Sequence, residues 1–197
     1  VQVDFVGPPL LDELPDMDTL QSNDTAKVIA LLPGSRKQEI AYLLPEYLKV
    51  VQDFPEYQFV VTGMSGIGEA FYKQHMGNSR ATLAMDKTYE VLRQSHAAIV
   101  TSGTATLETA LHGVPEVIGY KGSWISYFII YLFIDRSIGF ICIVNLICGK
   151  KVVPELIQAD VNRERLTNEL RNILSGPGRM EMKRGYSELR AKLGHPG

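Results

Sequence analysis

The pattern of apolar and polar positions along this chain predicts strands and helices that follow one another in turn. Continuous apolar runs, typical of strands covered on both faces, occur at 27–32, 58–62, 81–84, 97–101 and 117–120. Segments with helical spacing of apolar residues follow the first four runs, at 40–51, 69–76, 88–94 and 104–112. Pro45 predicts a kink or a new turn in the first of them. The alternation predicts a doubly wound, mostly parallel α/β sheet with helices on both faces.

The pattern changes after residue 120. Residues 122–134 and 137–149 carry no charge, contain many aromatic side chains and are separated by Asp135-Arg136. Neither half reaches the roughly 20 apolar residues that span a bilayer. Two interpretations stay open for 124–140, namely a helix and strand packed on the sheet, or a surface that meets lipid or an acyl chain.

The two ends of the chain differ from its middle. Residues 1–25 predict the end of a preceding domain, with a strand at 3–6, followed by a polar linker at 13–25. Near the other end we predict a strand at 141–144, a compact element at 154–158 and charged amphipathic helices at 162–174 and 179–193, separated by Gly176-Pro177-Gly178. Because the chain begins within a strand and without Met, we expect it to be a piece of a longer protein.

Composition narrows the classes of function. The 197 residues are 45% hydrophobic and carry 20 basic and 22 acidic side chains, which argues against a nucleic-acid binder. Cys142 and Cys148 lack the spacing of a zinc site and predict reduced, buried thiols in a cytosolic protein.

The strand at 97–101 ends in Ser102-Gly103-Thr104, at the start of a predicted helix. Free backbone N–H groups and hydroxyls at such a turn form an anion site that suits a phosphate or pyrophosphate. Glu108 lies one helical turn after Thr104 on the same face, where it can accept hydrogen bonds from a ribose diol. The alternative is that Ser102 is an N-cap, Gly103 a turn residue and Glu108 a solvated side chain.

A second loop, Pro33-Gly34-Ser35-Arg36, follows the first strand. The carboxyl ends of parallel strands meet at one edge, so we expect both loops to border one crevice. Arg36 could grip a diphosphate bidentately and stabilise the charge on a departing nucleotide. Asn145, after the predicted strand at 141–144, either binds phosphate or sugar near this crevice or caps the turn toward Gly149.

Several motifs occur in one order: Leu31-Leu32-Pro33-Gly34-Ser35-Arg36, Thr101-Ser102-Gly103-Thr104-Ala105-Thr106-Leu107-Glu108, Gly119-Tyr120-Lys121, Val144-Asn145-Leu146-Ile147 and Val153-Pro154-Glu155-Leu156-Ile157-Gln158. Together they closely resemble the lipid-A-disaccharide synthases, inverting glycosyltransferases of the GT-B fold. The resemblance covers nearly the whole chain but only the C-terminal, donor-binding half of that family. From this resemblance we expect residues 26–197 to form a UDP-sugar-binding domain. Pro8 stands where the family's connector usually has His.

The resemblance implies a reaction and its location. A UDP-2,3-diacylglucosamine donor and a 2,3-diacylglucosamine 1-phosphate acceptor would give lipid A disaccharide 1-phosphate and UDP. This would take place at the cytoplasmic face of the inner membrane of a Gram-negative bacterium, on a peripherally bound enzyme without a metal or other cofactor. The general base would lie in the N-terminal half, so this fragment alone is expected to be inactive. A homo-oligomer is compatible with the sequence.

The resemblance also implies site residues. The diphosphate region would contact Arg36, which neutralises leaving-group charge, and Asn145. Gly34 and Ser35, beside Arg36, would also belong to the UDP-sugar site. The pyrophosphate would be held by Ser102, Gly103, Thr104 and Thr106 and the ribose by Glu108, and Ala105 would also belong to the UDP-sugar site. Uracil would lie between backbone near Met85 and the start of the helix at Thr104, with Tyr120 in the crevice wall. The family's basic residues at 124–140 are replaced here by an apolar run and Arg136.

Two other classes remain as alternatives. UDP-N-acetylglucosamine 2-epimerases share the architecture and a similar uridine seat, but they need acid–base residues that we do not find near Glu108. A non-catalytic UDP-binding module needs no general base. An Asp or Glu facing the crevice from the preceding N-terminal sequence would favour glycosyl transfer.

Overall fold

The computed structural model describes residues 27–122 and 139–194. Within these ranges six strands form one sheet in the order β3-β2-β1-β4-β5-β6, and every neighbouring pair is parallel. The strands are β1 (Val28–Leu32), β2 (Gln58–Gly63), β3 (Thr82–Met85), β4 (Ala97–Thr101), β5 (Glu116–Tyr120) and β6 (Glu155–Ile157). The predicted doubly wound α/β fold is confirmed.

Helices connect and cover the strands. The α-helices are α1 (Lys37–Leu48), α2 (Glu69–Met76), α3 (Thr88–Arg93), α4 (Thr104–Leu111), α5 (Ile143–Cys148), α6 (Arg163–Leu174) and α7 (Gly176–Leu193). Short 3₁₀ turns lie at Val51–Asp53 and Gln158–Asp160. Helix α1 contacts α2 and α6, whereas α4 contacts α5 and α7. In the described ranges, no helix combines the length and apolar character needed to cross a bilayer.

Strands β1 and β4 form the centre of the sheet. Their residues are almost completely buried, because helices cover both faces, and this explains their continuous apolar sequence. Leu32 at the end of β1 pairs with Val100 of β4, and Thr101 pairs with Gly119 of β5. The strand order reverses between β1 and β4, because β2 and β3 extend the sheet on one side and β5 and β6 on the other. Ligands of doubly wound sheets bind at such a reversal.

Two predicted elements are wrong. Residues 141–144 do not form a strand but lead into α5, because Glu155 accepts hydrogen bonds from the backbone N–H groups of Ile141 and Cys142 and so caps that helix. Gly176-Pro177-Gly178 does not separate two helices but forms the first turn of α7, where proline needs no N–H partner. Pro45 lies within α1, which continues to Leu48.

Three predictions fall outside the described residues. These are the strand at 3–6, the linker at 13–25 and the alternatives for 124–140, of which only the last two residues are described.

The charged C-terminal helices are anchored as well as solvated. On α6, Arg163 and Thr167 both donate to Asp53, and these hydrogen bonds hold the pKa of that carboxyl at about 2. On α7, the buried guanidinium of Arg179 donates to the carbonyl of His96, just before β4. These side chains therefore attach the two helices to the rest of the domain.

Candidate functional site

The loop between β1 and α1 is closed by a carboxylate of its own helix. One oxygen of Glu39, Oε2, accepts hydrogen bonds from the backbone N–H groups of Ser35 and Arg36 at 3.2 and 3.3 Å. The other, Oε1, lies 3.1 Å from Nη1 of Arg36. Gly34 has φ +107°, and a Cβ there would lie 2.5 Å from Glu39 Oε2. The turn therefore requires glycine and is organised around Glu39.

The loop between β4 and α4 has no such closure. Gly103 is the N-cap of α4 and offers no side chain, and the first turn contains no acidic residue. Ser102 is tied to the sheet, because its N–H donates to the carbonyl of Gly119 at 3.0 Å. Gly103 and Thr104 are exposed, and Ala105 and Glu108 are partly exposed. The positive end of the α4 dipole thus faces the crevice without a counter-charge in its own first turn.

Contacts beneath the crevice join the two loops to the end of β5. The hydroxyl of Tyr47 in α1 lies 3.4 Å from Oγ1 of Thr101, and both side chains are buried. A Cβ on Gly119 would lie 2.4 Å from the Tyr47 hydroxyl, so glycine is required there for packing. Lys121, just after β5, bonds to Glu46 of α1 at 3.1 Å. Burial alone would raise the pKa of Glu46, but hydrogen bonds from Lys49 and Lys121 lower it overall.

Tyr120 and Met85 lie at the same edge of the sheet as the two loops. Burial raises the pKa of Tyr120, and the nearby Glu39 carboxylate raises it further while Arg36 opposes the shift. Tyr120 is therefore within electrostatic reach of the β1–α1 loop. Met85 ends β3, with β2 between it and β1, which places it about 10 Å from β1 along the sheet.

Asn145 is placed differently from the prediction. It is completely buried in α5, and its amide group donates to the carbonyl of Val153 and to Glu155. Its Oδ1 accepts the backbone N–H groups of Val152 and Val153. These four hydrogen bonds use the full capacity of the amide, so the structure shows Asn145 as a clamp between α5 and the segment before β6. Its predicted contact with a diphosphate would require breaking this clamp.

Thr106 is also directed inward. It is completely buried, and its hydroxyl donates to the carbonyl of Gly103 at 2.7 Å. The thiol of Cys142 lies beside it: burial raises the pKa of Cys142 to about 12, and a hydrogen bond with Thr106 opposes the rise. The Thr106 hydroxyl therefore shapes the α4 N-terminus from within, and its backbone N–H group also donates to the Gly103 carbonyl, at 3.2 Å.

Glu116, at the start of β5, is a completely buried carboxyl group. Its Oε1 accepts a hydrogen bond from the Tyr186 hydroxyl at 3.4 Å, whereas Oε2 has no partner among the described residues. Burial raises the pKa of Glu116 well above its ordinary value. Burial therefore favours the neutral, protonated form of this carboxyl, which lies at the amino end of β5 against Tyr186 of α7.

A separate groove of about 430 Å³ lies at the opposite, amino edge of the sheet, between α6, α7 and the segment before β6. None of the predicted site residues lines it. Its charges are mixed, with basic and acidic side chains from Lys150, Lys151, Glu169, Glu181, Arg184 and Glu188. Across the described part of the chain, no cluster of three or more His, Cys, Asp or Glu side chains could hold a metal ion.

Comparison with known sequences identifies the family to which this chain belongs. The family model described as lipid-A-disaccharide synthetase matches residues 1–195. The chain belongs to the lipid-A-disaccharide synthetase family. The lipid-A-disaccharide synthase of Syntrophus aciditrophicus is 39% identical over 214 residues, and that of Myxococcus xanthus is 35% identical over 211. Both alignments cover 100% of this chain and 55% of the relative, so the chain spans about half the length of these curated relatives.

Solved structures with the same architecture are glycosyltransferases. The spinosyn rhamnosyltransferase SpnG, in complex with thymidine diphosphate, superimposes with a TM-score of 0.54 at 18% identity, covering 87% of this chain and 43% of SpnG. The kitacinnamycin glycotransferase gives a TM-score of 0.53 at 17% identity, over 85% of this chain and 39% of its own. At this identity the likeness establishes the fold, and it confirms the expected GT-B-type architecture.

Sequence reasoning missed the residues that support the loops. Glu39 follows Arg36 at the three-residue spacing of a capping box, which is a readable signal. Glu155 lies in a motif that we had identified, but its role as the partner of Asn145 and the cap of α5 depends on tertiary contact. The pairing of Tyr47 with Thr101 joins residues 54 positions apart and has no local signal.

Proposed function

We propose that the crevice between the β1–α1 and β4–α4 loops binds the diphosphate of a UDP-sugar. The observation that carries this proposal is the position of both loops at the reversal of strand order, with the α4 N-terminus lacking an acidic residue in its first turn. Backbone N–H groups at 103–105 would receive the pyrophosphate, with the hydroxyls of Ser102 and Thr104 beside them. The exposed guanidinium of Arg36 would reach it from the other loop.

The positions of the same loops and strand ends suggest the remaining nucleotide contacts. Glu108 lies one helical turn after Thr104, so its carboxylate would accept hydrogen bonds from the ribose. Uracil would lie toward the end of β3 near Met85, and Tyr120 would form part of the wall. Arg36 and the α4 dipole would together neutralise the charge that develops on the departing UDP.

For the complete protein we propose the reaction of its family name. A UDP-2,3-diacylglucosamine would transfer its sugar to 2,3-diacylglucosamine 1-phosphate, forming lipid A disaccharide 1-phosphate and UDP. The base that activates the acceptor hydroxyl would come from outside this chain. Because both substrates would be acylated, we also propose peripheral association with the inner membrane. Sedimentation of the complete protein with phospholipid vesicles tests that association, and failure to sediment would contradict it.

Titration calorimetry with UDP tests the site. We expect UDP to bind and Arg36→Ala and Glu108→Ala each to weaken binding by about tenfold, since each removes a charge-assisted contact. Arg184→Ala is the matched control, because this exposed arginine lines the groove at the other edge of the sheet. Equal UDP affinity in the wild type and in both site variants would reject the site.

A further inference from the structure

Glu39 occupies the position of a bound anion in the β1–α1 loop. Its carboxylate accepts two backbone N–H groups and one guanidinium N–H, from Ser35 and Arg36. This is the set of donors with which helix N-termini and arginines hold phosphate oxygens. The loop that presents Arg36 to the crevice thus already contains an anion of its own.

The two carboxylate oxygens of Glu39 have different hydrogen-bond partners. Oε2 takes both backbone N–H groups and lies directly over Gly34, so it maintains the turn. Oε1 is bonded to Nη1 of Arg36. The Glu39 side chain is 26% exposed and that of Arg36 is 81% exposed, so the carboxylate is the sheltered partner of the ion pair and the guanidinium is the exposed one.

An exposed ion pair of this kind is weak, because water screens it and both side chains lose freedom in forming it. A diphosphate offers more negative charge and more acceptor oxygens than one carboxylate, and it suits the planar fork of a guanidinium. Arg36 would therefore leave Glu39 Oε1 when a diphosphate arrives, while Oε2 keeps its backbone contacts.

We propose that Glu39 is a positioning residue that holds Arg36 beside the crevice and exchanges it for the diphosphate of the incoming nucleotide. This inference rests on the proposed UDP site. It assigns Glu39 two opposite effects on binding: its backbone contacts favour binding by maintaining the loop, whereas its charge opposes binding by competing for Arg36. The raised pKa of Tyr120, to which Glu39 contributes, agrees with a Glu39 charge that acts at the crevice.

The two effects are separable by substitution. Glu39→Gln keeps a side-chain oxygen for the backbone N–H groups but removes the charge, so we expect UDP to bind about threefold more tightly, within the range measured for exposed ion pairs. Glu39→Ala removes both, so we expect weaker binding of UDP than in the wild type. Uridine, which has no phosphate, should bind equally to the wild type and to Glu39→Gln.

Two controls make the test specific. In an Arg36→Ala background, Glu39→Gln should produce no gain in UDP affinity, because the arginine for which Glu39 and the diphosphate compete is absent. Glu69→Gln is the matched control, since Glu69 is the first-turn glutamate of α2 and is also ion-paired, with Lys73. It should leave UDP affinity unchanged.

Titration calorimetry of the chain and its variants with UDP and uridine decides the inference. A gain for UDP alone, lost without Arg36, supports it, whereas UDP binding that is unchanged or weaker in folded Glu39→Gln overturns this inference and leaves the UDP site standing. No UDP binding by the wild type would overturn both. If Glu39→Gln does not fold, ¹⁵N NMR of the wild-type Arg36 side chain decides: a shift with UDP but not with uridine supports the exchange, and no shift overturns it.

Discussion

The two loops at the centre of the sheet are built in opposite ways. The β1–α1 loop is closed by Glu39, which supplies an internal anion to its backbone and to Arg36. The β4–α4 loop ends in glycine and has no acidic residue in the first turn of its helix. The first loop therefore carries a cation that is already partnered, and the second presents a helix dipole with no acidic residue in the first turn of its helix.

This difference predicts that the two loops bind a ligand anion in different ways. A helix N-terminus without an acid can take up a ligand anion directly, whereas an arginine held by a carboxylate must first change partners. The support beneath the loops differs too. Below the second loop lie Thr106, Cys142 and the clamp formed by Asn145 and Glu155, of which the first three are buried and Glu155 is partly buried. The following predictions test this comparison, from the largest effect to the smallest.

Replacing Asn145 should damage the second loop much more than the first. Asn145→Ala leaves Glu155, a backbone carbonyl and two backbone N–H groups without their partner, so we expect a loss of about 4 kcal/mol in the free energy of unfolding. Urea denaturation measures the loss, and hydrogen exchange should show weaker protection in α4 and α5 than in α1.

Asn168→Ala, at an exposed position of α6, is the control and should change stability by less than about 0.5 kcal/mol. A loss below about 1 kcal/mol in Asn145→Ala, with UDP binding abolished, would instead favour the predicted contact of Asn145 with the ligand.

The same substitution should have unequal effects in the two loops. Gly34→Ala introduces a Cβ at φ +107° and against Glu39, so we expect it to cost about 3 kcal/mol. Gly103→Ala meets no atom within 4 Å and has an extended backbone, so it should cost less than about 0.5 kcal/mol. Thermal unfolding of both variants compares them, and equal losses would contradict the structural difference between the loops.

Glu116, at the amino end of β5 and so opposite both loops, should make stability depend on pH. Because its folded pKa is above the ordinary value of 4.5, the folded chain keeps a proton that the unfolded chain loses. Its contribution to stability is therefore present at acidic pH and decreases as pH rises from about 4.5 toward the folded pKa. Glu116→Gln should stabilise the protein by about 2 kcal/mol at pH 8 and have little effect at pH 4.

Chemical denaturation at the two pH values measures this effect. An equal change at pH 4 and pH 8 would show that Glu116 does not keep its proton in the folded state. Glu188→Gln, on the exposed face of α7, is the control and should not reproduce the dependence.

Placing an acid in the second loop should make it resemble the first. Thr104→Asp puts a carboxylate in the first turn of α4, where it should stabilise the helix by about 0.5 kcal/mol and weaken UDP binding by about tenfold. Thermal unfolding and titration calorimetry measure the two effects. Thr88→Asp, at the corresponding first position of α3, is the control, and it should leave UDP affinity unchanged. Tighter UDP binding in Thr104→Asp would reject the α4 N-terminus as the anion site.

The sequence by itself determined most strands and helices of the described domain. Continuous apolar runs are buried on both faces only in the middle of a covered parallel sheet, so β1 and β4 were readable with nearly correct bounds. The glycine and hydroxyl residues that follow them identified both loops, because the backbone conformation of a turn favours particular residue types within the turn itself. The order of the motifs was enough to indicate the family, since it needs no knowledge of contacts.

Only the tertiary structure decided what the polar side chains do. Asn145 and Thr106 have the chemistry of phosphate ligands, but both are buried and bonded within the chain. Glu155 bonds the backbone of Ile141 and Cys142, just before the helix Ile143–Cys148, where the sequence predicted a strand at 141–144. Glu39 forms an ion pair with Arg36, the cation of the first loop. A hydrogen-bond partner far along the chain leaves no periodic signal, so the direction of a polar side chain depends on packing that the local pattern does not contain.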